Sequence, residues 1–267
     1  MACDIHSTAI VDKAAELGED VSVGPYSIVG PHVRIGDRTK IGPHAVLSGH
    51  TVLGADNVIF QFASVGSAPQ DLKYKNEPTT LEIGSRNTIR EYVTLNPGTI
   101  TGLRRTVIGD DNLFMVSSHV AHDCVVGNSN VFANSVALAG HVFIGNYVIL
   151  GGLVAVHQFN RVGDYAFLSG GAMVTDDIPP YCMGQGDRAE LRGLNLVGLK
   201  RAGFSETDVA EVKKAYRYLF ATRGSLEKKL ASFPAELGAK PRVKFMLDFI
   251  ANSKRGVSLP QKTMARL

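Results

Sequence analysis

The sequence predicts a mainly β protein, a parallel β-helix of hexapeptide repeats followed by a small α-helical domain. Three observations predict it. An aliphatic or phenylalanine residue recurs at every sixth position without a miss from Ile108, through Phe114, Val120 and Val126, to Val174. A glycine often follows the recurring residue, as at Gly24, Gly36, Gly109, Gly127 and Gly145. After Pro179-Pro180 the beat stops and apolar residues take up helical spacing. A period of six matches neither an α-helix nor a simple alternating strand, but it is the repeat of a β-helix.

The first run of the beat extends from Ile5 to Val65. Each hexad is predicted to form one short strand and one turn, with the beat residue inward and the following glycine permitting the turn. Three hexads close one coil, and coils stack at about 4.8 Å, so some eight to nine coils form a prism about 40 Å tall. The rhythm then breaks. Asp71 and Glu77 fall on beat positions between Val65 and Ile83, so residues 67–81 are predicted to loop out. Ile83, Ile89 and Leu95 resume the beat, and the step from Leu95 to Ile108 is 13 residues, one more than two hexads. A second loop over 98–106 is predicted to absorb the difference. Long loops in a regular repeat are often functional. The β-helix is assigned to 1–187 and the helical domain to 188–267. Ser205 reads as an N-cap, with Val209, Val212, Ala215, Tyr216, Leu219 and Phe220 on one helical face and Gly224 as its C-cap. Residues 225–233 and 242–253 read as further helices.

The chain has 267 residues, with no apolar run long enough to span a membrane and no signal peptide pattern, so a cytoplasmic protein is expected. Cys3, Cys124 and Cys182 have no metal or disulfide spacing. The net charge of +3 hides a split: residues 200–267 carry 15 Lys and Arg against 6 Asp and Glu, a balance of +9, leaving −6 on the rest. A basic helical domain suggests an acidic partner. Nucleic acid is not expected, for there is no Trp and no interleaving of aromatic and basic residues.

The densest cluster of chemically able residues is His119-Val120-Ala121-His122-Asp123. The repeat turns sequence into geometry, because residues one coil apart lie one above the other. His122 is then stacked beneath Gly140, Gly140 beneath Gln158, and Asp123 beneath His141. A glycine beside an imidazole suits acyl transfer, with the histidine as general base and the glycine N–H as oxyanion donor. Asp123 can orient the ring by accepting its other N–H. No motif marks a serine or cysteine nucleophile, so direct attack by a substrate hydroxyl is the economical mechanism. Two other classes remain open on these residues: a metalloenzyme using histidines, although the His-x4-His spacing of hexapeptide carbonic anhydrases is missing, and a non-catalytic β-solenoid scaffold.

Several segments go beyond the repeat: Gln70-Asp71-Leu72-Lys73-Tyr74, His119-Val-Ala-His122-Asp123-Cys, Ala139-Gly140-His141-Val142, Ala155-Val156-His157-Gln158-Phe159 and Gly198-Leu199-Lys200-Arg201. Together they resemble the bacterial UDP-N-acetylglucosamine O-acyltransferases over nearly the whole chain. The resemblance implies a left-handed β-helix and the first step of lipid A biosynthesis. A 3-hydroxyacyl group would pass from acyl carrier protein to the sugar 3-hydroxyl of UDP-N-acetylglucosamine. It implies His122 as base, Asp123 as its orienting acid and Gly140 as oxyanion donor. Asp71 and Lys73 would hold the sugar and its neighbouring groups. His119, His141, His157 and Gln158 would touch substrate, and Asn195 and Arg201 the nucleotide side. It implies no cofactor and no metal, a homotrimer with sites in the clefts between chains, and the first loop reaching another chain's His122. The acidic carrier protein would be the partner of the basic domain. Gly152 and Gly170 match the acyl-chain path, and glycine at 170 implies a longer acyl chain. Asn96-Pro97 stands where many members carry His-Arg, Val197 where an acidic residue is frequent, and Ala202 where a second Arg is frequent. A 3-amino sugar as acceptor, giving an amide, is the alternative these departures raise. The later N-acyltransferase of the same pathway carries a separate N-terminal domain, whereas here the repeats start at Ile5.

Overall fold

A computed structural model describes residues 3–260. Short parallel strands, mostly two residues long, wind through three sheets in turn. The sheets hold 11, 9 and 8 strands, and, apart from one antiparallel strand at the end of the 11-stranded sheet, each pairs with the equivalent strand one coil away. From Ile108 onward the register is the one the beat requires, with His119 opposite Ala137, Ala137 opposite Ala155 and Ala155 opposite Met173. This is the left-handed parallel β-helix of hexapeptide-repeat proteins.

The beat residues form the core. Val65, Leu95, Phe114, Val120, Phe132, Leu138 and Leu150 have no exposed surface. Burying such a side chain contributes roughly 1.5–3 kcal/mol, and every coil repeats the gain. Polar residues also serve the interior at one corner. Asn87 donates to the Oδ1 of Asn57, Asn112 to that of Asn87, and the Asn130 and Val148 N–H groups continue the ladder. These buried amides satisfy backbone groups that no strand reaches.

The glycines after the beat act differently from the expectation. The left-handed corner residue stands three places after the beat and is usually not glycine: Arg38, Asp56, Asp111, Asp123 and His141 have φ of 57, 60, 61, 59 and 61°. The glycine is needed for close stacking. A Cβ on Gly36 would lie 2.5 Å from the carbonyl carbon of Gly54 in the next coil.

Both interruptions are insertions into a single hexad. Leu53 pairs with Ile83, and Leu95 with Val120, so the extra residues number 12 in the first case and 7 in the second beyond the 18 that separate His119 from Ala137. The second is therefore not one residue added to two hexads. Strands begin at Thr80 and Arg105, so the loops end earlier than 81 and 106. The helical part also begins later than residue 188. Strands Cys182–Gln185 and Glu190–Leu194 form an antiparallel hairpin on the 11-stranded sheet before the first helix, Leu196–Arg201.

Ser205 caps helix Glu206–Tyr216 through a capping box with Asp208. That helix runs on into a π-helical turn, Arg217–Ala221, rather than continuing as α-helix towards Gly224. The buried Lys229 amine donates to the carbonyls of Leu219 and Thr222, groups the π turn leaves open. Helices Leu226–Ala231 and Pro241–Ala251 follow. Lys262 and Arg266, part of the basic balance, lie outside the described residues. Among the described residues, no helix is long and apolar enough to cross a membrane.

Candidate active site

The corner after strand His119–Val120 carries His122 and Asp123, and the coil above brings Gly140 and His141 onto them. The His141 N–H donates to the His122 carbonyl at 3.0 Å, which locks the two corners together. His122 Nδ1 lies 2.8 Å from Asp123 Oδ2. Its ring faces Gly140, where a Cβ would stand 2.5 Å from Cε1 and 2.7 Å from Nε2. Glycine is thus required at 140 because the imidazole occupies the space. Among the described residues the Gly140 N–H donates to no protein acceptor.

Asp123 is 1% exposed. Its Oδ2 accepts the Thr99 hydroxyl at 2.6 Å, its Oδ1 the Leu103 N–H at 2.7 Å, and the Thr99 N–H spans both oxygens at 3.1 Å. Burial pushes this carboxyl up, but hydrogen bonds from His122 and Thr99 outweigh it and hold it below the ordinary Asp value. All its partners are donors, so the acid is an anion and His122 presents Nδ1–H to it. The Nε2 lone pair is left free, as a general base requires.

His119 bonds Thr94 through Nδ1 at 2.6 Å, and burial, with His122 nearby, lowers its pKa. His141 stacks on Phe159 at 4.7 Å, meets His122 edge-on, and is also lowered by burial. His122, Asp123 and His141 bring ligand-capable atoms within 4.8 Å of one another. The Asp123 oxygens are already committed to protein donors, which favours a hydrogen-bonded dyad over a metal centre.

His119, His122, Gly140 and His157 line one cavity of about 500 Å³, together with Gln70, Asn96 and small or apolar residues including Ala137, Ala155 and Val174. Asp71 and Lys73 sit on the first loop, half-buried and exposed, and the Lys73 N–H donates to Asp71 Oδ1. Asp71 lies close enough to His141 of its own chain to counter the lowering of that imidazole. Asn195 and Arg201 line a separate cavity of about 670 Å³, with Tyr147, Tyr165, Leu196 and Val197. A single chain therefore does not bring them to His122. Gln158, Gly152 and Gly170 line neither of these cavities. Gly152 and Gly170 do stack as the register requires, and a Cβ on Gly152 would meet only the Asn134 carbonyl, at 3.5 Å. Thr94, Thr99 and Leu103 were missed by sequence reasoning. The links of Thr99 and Leu103 to Asp123, and of Thr94 to His119, cross the second insertion, where the repeat no longer maps positions, and the only hint was the Asn96-Pro97 departure just before Gly98-Thr99.

A repeating coil that holds a hydrogen-bonded His–Asp pair against a glycine, beside a cavity of small and apolar side chains, defines a hexapeptide-repeat transferase. Comparison with known proteins is specific within that class. A family model for UDP N-acetylglucosamine O-acyltransferase, domain 2, matches residues 177–258, and one for the bacterial transferase hexapeptide (six repeats) matches 14–49. The acyl-[acyl-carrier-protein]–UDP-N-acetylglucosamine O-acyltransferase of Myxococcus xanthus is 54% identical over 95% of this chain and 98% of its own. That of Trichlorobacter lovleyi is 57% identical over the same shares. Among solved structures, the Acinetobacter baumannii protein LpxA superposes with a TM-score of 0.92 at 43% identity, over 95% and 99% of the two chains. The UDP-N-acetylglucosamine acyltransferase of Arabidopsis does so at 0.82 and 38%, over 95% and 99%. The chain belongs to the UDP-N-acetylglucosamine O-acyltransferase family.

Proposed function

We propose that the chain transfers a 3-hydroxyacyl group from the thioester of acyl carrier protein to the 3-hydroxyl of UDP-N-acetylglucosamine, the opening step of lipid A biosynthesis. His122 Nε2 takes the proton of the sugar hydroxyl as its oxygen attacks the thioester carbonyl. The Gly140 N–H donates to the oxyanion of the tetrahedral intermediate. Collapse expels the carrier's thiolate, which recovers the proton from the imidazolium. Asp123 holds the ring and stabilises its positive charge. No residue becomes acylated and no cofactor or metal takes part.

The observation that carries this reading is the His122–Asp123 bond of 2.8 Å, with Gly140 against the ring in a cavity walled by small and apolar side chains. Asp71 and Lys73 hold the sugar from the loop, and His119, His141, His157 and Gln158 contact the bound substrates. Asn195 and Arg201 meet the nucleotide, Arg201 by pairing with phosphate. Their cavity is separate from that of His122 within one chain, so a homotrimer would join the two across the cleft between neighbours. The acyl chain runs along the Gly152–Gly170 column, and the basic helical domain receives the acidic carrier in the cytoplasm.

The test is turnover with 3-hydroxyacyl carrier proteins of several chain lengths, against UDP-N-acetylglucosamine and its 3-amino analogue. Acylated hydroxyl product that His122→Ala reduces about 10²–10⁴-fold is expected. Product with the amine alone would change the acceptor. Product with neither would remove the acyltransferase reading.

A further inference from the structure

We propose that the seven-residue insertion after Leu95 is a clamp for the catalytic carboxylate, with Thr99 as a positioning residue that sets the basicity of His122 from outside the substrate cavity. The inference rests on the acyl-transfer reading of the site and deepens it.

The loop is built to face inward. Gly98 starts it with its N–H on the Thr80 carbonyl at 3.1 Å, and a Cβ there would stand 2.1 Å from the Arg105 nitrogen. The Thr99 carbonyl then accepts the N–H groups of Gly102 and Arg104, both at 3.1 Å, which curls the chain into a tight loop. That curl aims the Thr99 and Leu103 N–H groups and the Thr99 hydroxyl at one carboxylate. Gly102 lies flat against it, where a Cβ would be 2.3 Å from Asp123 Cγ. Asp123 is thus enclosed by loop backbone on one side and by His122 on the other, with His141 Nε2 of the neighbouring coil 3.7 Å from Oδ2, and His119 and His141 are the other titratable groups that face His122. None of the clamp's donors comes from the neighbouring coil of the repeat, so the loop alone supplies them.

Thr99 and His122 share a single oxygen, Oδ2, at 2.6 and 2.8 Å. A donor to a carboxylate withdraws negative charge from its other partners. The Thr99 hydroxyl therefore limits how strongly Asp123 supports the imidazolium. It also prevents the carboxylate from rotating away from Nδ1. Removing the hydroxyl should make His122 more basic and leave its orientation looser. The first effect moves the acid limb of the rate profile to higher pH; the second lowers kcat without weakening substrate binding.

The experiment compares wild type with Thr99→Val, Thr99→Ser and Gly102→Ala, measuring kcat, KM for both substrates and the pH profile. The His122 imidazole is titrated by NMR in the same proteins. For Thr99→Val, kcat should fall about tenfold, the loss expected for a hydrogen bond to a charged group. KM should be unchanged, and both the acid limb and the imidazole titration should move up in pH. Thr99→Ser should restore all three. Gly102→Ala, which keeps every donor but displaces the carboxylate, should lower kcat with KM unchanged, and it serves if Thr99→Val does not fold. A folded Thr99→Val with wild-type kcat and an unmoved imidazole titration overturns the proposal, as does a loss confined to KM. Absence of turnover in wild type removes the acyl-transfer reading, and the NMR titration then still decides for or against the clamp.

Discussion

The two insertions leave the same corner of the prism in successive coils, between the 9-stranded and the 8-stranded sheet, yet they are built in opposite ways. The twelve-residue loop stands away from the coils and carries Asp71, half-buried, and Lys73, exposed. The seven-residue loop turns back and closes on a carboxylate that is 1% exposed. The outer loop offers charged side chains, whereas the inner one offers mostly backbone N–H groups. A β-helix supplies rigid corners but few free donors, since its strands consume them. An insertion is the way this fold obtains both a reach outward and a set of unpaired N–H groups inward.

The sharpest way to break this contrast is the same substitution in the carboxylate on the outer loop and in the carboxylate the inner loop encloses. Asp123→Asn keeps the shape but places an NH₂ group where every neighbour is a donor. It should lower kcat by about 10²–10⁴-fold and cost about 1–3 kcal/mol of stability for the mispaired amide. Asp71→Asn should leave the melting temperature within error of wild type and raise KM for the nucleotide sugar, with a smaller change in kcat. Steady-state kinetics and thermal melts of the two variants decide it. A destabilised Asp71→Asn would mean that the outer loop is structural as well.

The contrast also explains what could be read in the sequence. The hexad beat was legible because each beat residue fills one slot of a narrow core, and a polar residue there has no partner. The stacking of His122 beneath Gly140 followed from the register, which is unbroken across those two coils. The length of the first insertion was veiled because twelve residues preserve the phase of the beat. The second shifted the phase but was counted against two hexads instead of one. The partners of Asp123 were invisible for a deeper reason: a backbone N–H has no sequence signature, and Thr99 is joined to Asp123 by loop geometry and not by the repeat. The hairpin before the first helix was hidden in the same way, as its strands pair antiparallel and carry no hexad.

A smaller effect separates the corner proposed to do chemistry from the column proposed to guide the acyl chain. Gly152 and Gly170 are stacked, with the Asn134 carbonyl in ordinary contact, 3.5 Å, with a Cβ on Gly152, and the Gly152 carbonyl 3.3 Å from a Cβ on Gly170. Gly170→Met should shift the preferred donor to shorter acyl chains, by one to a few carbons, while leaving the acid limb of the pH profile where it is in wild type. Competition between donors of different length measures the first, and the rate profile the second. An unchanged length profile would take the acyl path away from this column and leave the dyad untouched.

The smallest effect expected is the pH dependence of stability, and its two steps belong to different parts of the site. Burial lowers His119 and His141 below the ordinary histidine value of 6.5. The unfolded chain then takes up their protons first, so the stability they contribute is full above 6.5 and is lost as pH falls through their folded values. The clamp holds Asp123 below the ordinary 3.8 against its burial, so its contribution is present above 3.8 and is lost only as pH falls further. Denaturant melts across this range should show a shallow first decline and a second one at lower pH. Thr99→Val should weaken the second and leave the His119 and His141 titrations, followed by NMR, in place while that of His122 moves. A variant that moved the His119 and His141 titrations as well would show that Thr99 acts on the fold of the whole corner and not on the one carboxylate it touches.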